Sequence, residues 1–293
     1  MTILVTGSTG AIGSQIVHRL VGEGTNVRAL ARSPEKVQLP SGVAVAKGDM
    51  TDVESMRAAL KGVDTLFLLN AVVPDEVTQA LITLSLARDA GIERIVYFSV
   101  FNADRFSDVP HFTGKYAVER MIEQFDLPAT ILRPSYFIQN DASMKELLLG
   151  KGIYPVPVGS KGVSMVDTRD IADIAASCLL QRERAGAPLP REVIELVGPQ
   201  ALTSDALAGI WSEALGKQVN YGGDDLDAFE AQFASRAPGW MARDVRLMLG
   251  RFQSDGMAAT DSAVAKMTTL LGRAPRSYRD FAFDTAKEWK RAE

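Results

Sequence analysis

The sequence predicts an α/β chain: a parallel sheet covered by helices on both faces, followed by a smaller, mostly helical carboxyl-terminal lobe. Two observations carry this reading. Short, nearly continuous apolar runs alternate with helix-period segments through the first two-thirds of the chain, as strands buried on both faces require. The chain also opens with a strand, a glycine-rich turn, a helix and a second strand within its first 32 residues, which makes a βαβ unit.

The elements follow in order. Thr2–Thr6 is a β-branched apolar strand, Ile16, Val17, Leu20 and Val21 mark a helix, and Asn26–Ala31 is the second strand. Gly42–Lys47 is a third strand, closed by Gly48-Asp49-Met50, and Ser55–Leu60 is a short helix. Asp64–Leu69 is a fourth strand ending at Asn70, and Glu76–Ala90 is a helix with Gly91 as its stop signal. Arg94–Ser99 and Pro128–Arg133 are strands on either side of a helix from about Pro110 to Phe125. Asp167 and Asp170 read as capping carboxylates for a helix over Ile171–Leu180. The stretch Arg182–Pro190 reads as a surface connection into a strand at Val193–Val197.

After Pro199 the pattern turns helical. Ser204–Leu215 ends at Gly216, Val219–Tyr221 is a short strand, and Leu226, Phe229 and Phe233 mark one helical face. Met241–Phe252 is amphipathic, and a terminal helix follows Arg279. This predicts a Rossmann-type domain over 1–198, with a segment near 141–165 facing a lobe of 199–293 that caps the strand ends. Phe229, Phe233, Trp240 and Met248 are expected in the core of that lobe.

Composition narrows the function classes. Hydrophobic content of 46% and charged content of 23% suit an ordinary globular protein. A net charge of −4 and a pI near 5.4 argue against a nucleic-acid surface. No apolar run is long enough to span a bilayer, and a strand starting at residue 2 predicts no leader. The single Cys178 cannot make an internal disulfide, which suits a cytoplasmic setting. Two histidines and one cysteine predict no metal site. The expected partners are a small apolar or aromatic substrate, with the chain a monomer or homodimer.

The turn Gly7-Ser8-Thr9-Gly10-Ala11-Ile12-Gly13 lies between the first strand and the first helix. Glycines there let the backbone approach a pyrophosphate, whose charge rests on the helix amino terminus. The end of the second strand then selects the cofactor. A carboxylate would bond the adenosine ribose 2′-hydroxyl, whereas Arg32, followed by Ser33, neutralises a 2′-phosphate. The expected cofactor is therefore NADP(H). Asn70 and Ser99, at the carboxyl ends of two strands, are expected to face the ribose and nicotinamide.

These landmarks extend to Gly48-Asp49, His111-x-x-x-Lys115, Leu132-Arg133-Pro134 with Asn140, Val166-Asp167-x-x-Asp170, Leu196-Val197-Gly198-Pro199 and Leu271-Gly272-Arg273-x-Pro275. In that order the chain resembles the atypical short-chain dehydrogenase/reductases of the NmrA-like branch, which includes quinone and triphenylmethane-dye reductases and a fungal nitrogen regulator. The resemblance implies that Asp49 and Met50 bracket the adenine and that Pro134, Ser135, Tyr136 and Phe137 frame the nicotinamide and substrate. It also implies that Lys115 holds the nicotinamide ribose.

Where the wider family has Tyr-x-x-x-Lys, this chain has His111, with Tyr116 at another angle of the helix. A histidine can exchange a proton near neutral pH and is the candidate stand-in. The implied activity is hydride transfer from NADPH to an apolar conjugated acceptor such as a quinone, which needs little acid help. The alternative is a non-catalytic redox sensor that binds NADP(H) without turnover.

Overall fold

In a computed structural model, which describes residues 1–291, the chain divides into two compact units. One comprises residues 1–103, 111–133 and 169–194; the other comprises 104–110, 134–168 and the chain from 195 onward. The strands are β1 (Thr2–Val5), β2 (Asn26–Ala31), β3 (Ala44–Lys47), β4 (Thr65–Leu68), β5 (Arg94–Phe98), β6 (Ala129–Pro134), β7 (Ile153–Tyr154), β8 (Glu192–Leu196) and β9 (Asn220–Tyr221). The helices are α1 (Gly13–Gly22), α2 (Val53–Leu60), α3 (Glu76–Asp89), α4 (Pro110–Gln124), α5 (Thr168–Arg184), α6 (Ser204–Leu215), α7 (Leu226–Ala234), α8 (Gly239–Ser254), α9 (Asp261–Leu271) and α10 (Tyr278–Arg291).

The first unit is built on a seven-stranded sheet in the order β3-β2-β1-β4-β5-β6-β8, with parallel pairing from β3 through to β6. The chain runs outward from β1 to β3, then returns to lay β4 on the other side of β1. That reversal opens a crevice beyond the carboxyl ends of β1 and β4, where ligands bind in such sheets. Leu4, Leu66, Leu68, Ile95 and Tyr97 pack with Met56 and Leu60 of α2, Leu84 of α3, and Val118 and Ile122 of α4. Asp52 starts α2 by accepting a hydrogen bond from the Ser55 amide at 2.8 Å. Gly91 follows α3 at φ 73°, a left-handed backbone that suits glycine alone among the ordinary residues.

One expectation is corrected here. The stretch from Arg182 is not a surface connection at its start. Helix α5 runs on to Arg184, and Arg182 is only 1% exposed. Its guanidinium donates to the Thr130 hydroxyl at 2.8 Å and to the carbonyls of Pro128, Leu189 and Pro190 at 3.1, 3.0 and 2.9 Å. One planar fork therefore closes backbone acceptors that would otherwise be buried without donors.

In the second unit, β7 and β9 pair in parallel, and isolated bridges join Phe137 to Val166 and Val163 to both Leu202 and Met257. Trp211 of α6 is fully buried, stacks on Trp289 at 5.2 Å and meets Tyr278 and Phe281 edge-on. Helix α6 begins at Thr203, whose hydroxyl caps the Ala206 amide, and ends at Gly216 in the left-handed conformation. Helix α9 lies where no helix was expected; Thr260 caps it and Gly272 ends it. Met248 is buried as expected. Phe229 and Phe233 instead stack on each other at 5.8 Å from a helix with no buried residue, and Trp240 is 39% exposed.

Asp141 is the polar knot of this unit. One carboxylate oxygen accepts from the hydroxyls of Tyr154, at 3.0 Å, and Tyr278, while the Trp211 ring N–H donates to the Tyr278 oxygen at 2.8 Å. The other oxygen, Oδ1, is buried without a partner. Burial pushes the Asp141 carboxyl up to about 6, against the opposing pull of the two tyrosine hydroxyls.

Two predictions concern stability. Replacing Arg182 with Met leaves several buried carbonyls without donors and should lower unfolding free energy by about 3 kcal/mol, read by urea denaturation. Asp141 holds its proton more tightly folded than unfolded, so its contribution to stability grows as pH falls through the window of about 6 to 4. That contribution should reach about 3 kcal/mol at the acid end and disappear in Asp141→Asn, measured by denaturation at a series of pH values.

Candidate cofactor and substrate site

The glycine turn of the first unit is shaped by backbone contacts. Gly7 has φ 60°, and a Cβ there would lie 2.9 Å from the Leu69 carbonyl oxygen. A Cβ on Gly13 would fall 2.1 Å from the Gly7 carbonyl oxygen, so the first turn of α1 rests directly on the loop backbone. Gly10 differs: its Cβ would meet only the Gly7 oxygen, at 3.4 Å. Protein packing accounts for Gly7 and Gly13 but not for Gly10. The space beside Gly10 is the kind a close-lying ligand needs.

The amino end of α1 is open to an anion. Ile12 at the cap position has no side-chain oxygen, and the first turn carries no acidic residue. Thr9, Gly10 and Ala11 are exposed, whereas Ser8 is buried and its hydroxyl donates to the Leu30 carbonyl at 2.8 Å. The Thr6 hydroxyl ties the ends of β1 and β4 by donating to the Leu69 carbonyl at 2.7 Å and accepting from the Leu69 amide at 2.8 Å.

Beside the turn lies a cleft of about 360 Å³ lined by Thr9, Ser14, Arg32, Ser33, Lys36 and Gln38, among others. Arg32 and Lys36 bring two cations to it. Sequence reasoning missed Lys36, since the single 3-10 turn Pro34–Lys36 is too short to carry a periodic signal. Asp49 turns its carboxylate onto its own loop, accepting from the Thr51 amide at 2.9 Å and hydroxyl at 2.7 Å. Those bonds, and more weakly the Arg32 charge, hold its carboxyl below the usual range. Met50 is half-buried next to it.

At the ends of β4 and β5 the site becomes buried and ionic. Asn70 donates from Nδ2 to the Glu76 carbonyl at 2.7 Å, while its Oδ1 is buried without a partner. Lys115 forms a 2.5 Å ion pair with Glu76. Ser99 donates its hydroxyl to Glu119, which also takes a bidentate Arg133 at 3.0 and 2.6 Å. His111 is half-buried, edge-on to Phe112 at 4.6 Å. Tyr116 lies under the Arg120 guanidinium at 4.8 Å. Sequence reasoning missed Glu119, although it stands four residues beyond Lys115 as Lys115 stands four beyond His111, one face of α4. It missed Glu76 because that pairing is long-range.

The predicted loop Pro134–Phe137 belongs to the second unit. The Ser135 amide donates to the Leu196 carbonyl at 2.9 Å, and its hydroxyl is buried without a partner. Tyr136 sets its ring edge-on to Phe252 at 6.0 Å. Burial, then the Asp141 charge, holds its phenol well above the ordinary range. Phe137 is half-buried. Among the described residues, Asn70 Oδ1, Ser135 Oγ and Asp141 Oδ1 are the buried side-chain atoms left unpaired. Two of the three lie on residues expected to meet the cofactor, and such orphans ask for a partner. The residues present therefore fit a phosphorylated dinucleotide.

Among the described residues no cluster could hold a metal ion, and no helix is long and apolar enough to cross a membrane. The chain is 30% identical over 285 residues to a protein of Xenophilus azovorans named NAD(P)H azoreductase, covering 96% of each chain. The NADPH-dependent quinone oxidoreductase of Escherichia coli, solved with NADPH, shares its fold: TM-score 0.84, 23% identity, 96% of this chain and 98% of that one. The triphenylmethane reductase of Citrobacter sp., solved with NADP(H), does so at TM-score 0.83 and 24% identity, over 97% and 99% of the two chains. The profile of the NmrA-like family matches residues 1–242, and the chain belongs to that family.

Proposed function

We propose that this protein is an NADPH-dependent reductase that delivers hydride to an apolar, conjugated acceptor such as a quinone or an azo compound. The observation that carries the reading is Gly10, a glycine that the protein's own packing does not require, placed at an uncapped helix terminus beside the Arg32–Lys36 cleft. The relative named NAD(P)H azoreductase supports the acceptor class. A small aromatic substrate, a cytoplasmic setting and a monomeric or homodimeric chain complete the proposal. The net charge of −4 and the lone buried Cys178 support the absence of nucleic acid and the reducing compartment.

NADPH, when bound, supplies the hydride. The chain's share is binding and orientation. The Thr9 and Ala11 amides and the amino end of α1 receive the pyrophosphate, while the Gly10 amide closes the turn on the Gly7 carbonyl at 3.0 Å, and Arg32, Ser33 and Lys36 take the 2′-phosphate. Asp49 and Met50 flank the adenine. Lys115 and Asn70 hold the nicotinamide ribose. The Ser99 hydroxyl is committed as a hydrogen-bond donor to Glu119, and Tyr116 is held under Arg120, so neither is the proposed acid. His111 is the proposed proton carrier at the acceptor. Quinone oxygens also take protons from water, so such acceptors suit a site without tyrosine.

The test is NADPH oxidation against a panel of quinones, azo dyes and triphenylmethane dyes. Turnover of at least one class is expected. NADPH binding without turnover of any would move the protein to the sensor reading.

Two predictions follow from the geometry. Gly10→Val should unfold like wild type yet lose NADPH binding, whereas Gly13→Val should lose stability as well; calorimetry of folding and of binding separates them. Arg32→Ala should weaken NADPH by roughly 1.5–3 kcal/mol and leave NADH nearly unchanged, read by titrating both cofactors.

A further inference from the structure

The mechanism assigns Lys115 to the cofactor but says nothing of Glu76, the first residue of α3. Both side chains are almost fully buried, 6% exposed for Lys115 and 7% for Glu76. A buried ion pair is a poor source of stability, since apolar side chains of the same volume commonly do as well. Its placement has another use. The ammonium can donate three hydrogen bonds, and Glu76 Oε1 takes one at 2.5 Å. The Glu76 carbonyl in turn accepts from Asn70 Nδ2 at 2.7 Å, which leaves Asn70 Oδ1 as a buried acceptor without a donor.

One residue therefore fixes both neighbours, Asn70 through its main chain and Lys115 through its carboxylate. Packing enforces the arrangement. A Cβ on Gly114 would lie 2.9 Å from Val77 Cγ2, so α4 and α3 approach closely at the residues next to Lys115 and Glu76. The Tyr97 hydroxyl donates to the Lys115 carbonyl at 3.4 Å, steadying the helix from the sheet.

Resting on the cofactor reading above, we propose that Glu76 is a positioning residue. Its carboxylate holds the Lys115 ammonium in place and directs the two remaining N–H donors, alongside Asn70 Oδ1, at a vicinal diol, the nicotinamide-side ribose. Two donors and one acceptor match two hydroxyls that can each donate and accept. Without the carboxylate, a buried ammonium lacks its counter-ion and loses its place.

The test compares NADPH with adenosine 2′,5′-bisphosphate, which has the 2′-phosphate but no nicotinamide ribose. Wild type should bind both by isothermal titration. Glu76→Gln should lose about tenfold in NADPH affinity with no change for the bisphosphate. Glu76→Asp keeps the charge on a shorter arm and should show the same split at smaller size, which also serves if the glutamine variant does not fold. Unchanged NADPH affinity in a folded variant would overturn the proposal. So would equal weakening of both probes, which marks a purely structural role. Failure of wild type to bind either probe would instead sink the cofactor reading itself.

Discussion

The contact between Gly13 and the Gly7 carbonyl sets the terms for the rest of the first unit. A Cβ at Gly13 would sit 2.1 Å from that oxygen, closer than any side chain tolerates. With no side chain there, α1 begins directly against the loop that follows β1. The sheet order makes the crevice beyond β1 and β4, because β2 and β3 lie to one side of β1 and β4 onward to the other. The proposed anion site rests on this packing rather than on any charged side chain. The lack of an acid in the first turn of α1 preserves it.

Charge then enters in a graded way. Near the turn, Arg32 is exposed, so its contribution comes through contact with a bound phosphate rather than through the fold. Deeper in, the face of α4 carries Lys115 and Glu119 into the interior, where each is paired: Lys115 with Glu76, Glu119 with Arg133 and Ser99. Buried charges survive only when matched in this way. The pairing of Glu119 fixes β5, β6 and α4 against one another. The pairing of Lys115 leaves donors unused, and that difference separates framework from proposed site.

Much of this was legible in the sequence. Strands such as Ile3–Val5 and Leu66–Leu68 are fully buried and carry the continuous apolar signal that buried parallel strands impose. The glycine stops of α3 and α6, Gly91 and Gly216, are local signals that the sequence shows directly. What escaped depends on partners distant in sequence. Arg182 looks like a surface residue in a charged stretch until Thr130 and the carbonyls of Pro128, Leu189 and Pro190 are seen around it. Glu76 looks like an ordinary first-turn acid until Lys115 arrives from 39 residues away. Helix α9 has polar residues on most faces and buries only Ala263 and Met267, too thin a stripe for periodicity to expose.

The replacement of tyrosine by His111 changes what the remaining residues have to do. A tyrosine acid needs a lysine that stabilises its anion; in the proposed site Lys115 serves binding alone. The immediate surroundings agree with that division. The Ser99 hydroxyl is committed as a hydrogen-bond donor to Glu119, and Tyr116 is held by Arg120. Few groups near the proposed site can move a proton, while several can fix a ligand. A constellation of that kind accelerates by orientation, and it favours acceptors whose main demand is hydride and whose protons can come from water. In the proposed reductase, the residue at position 111 thus bears on acceptor chemistry, and the ion pair at Lys115 bears on how firmly the donor is held.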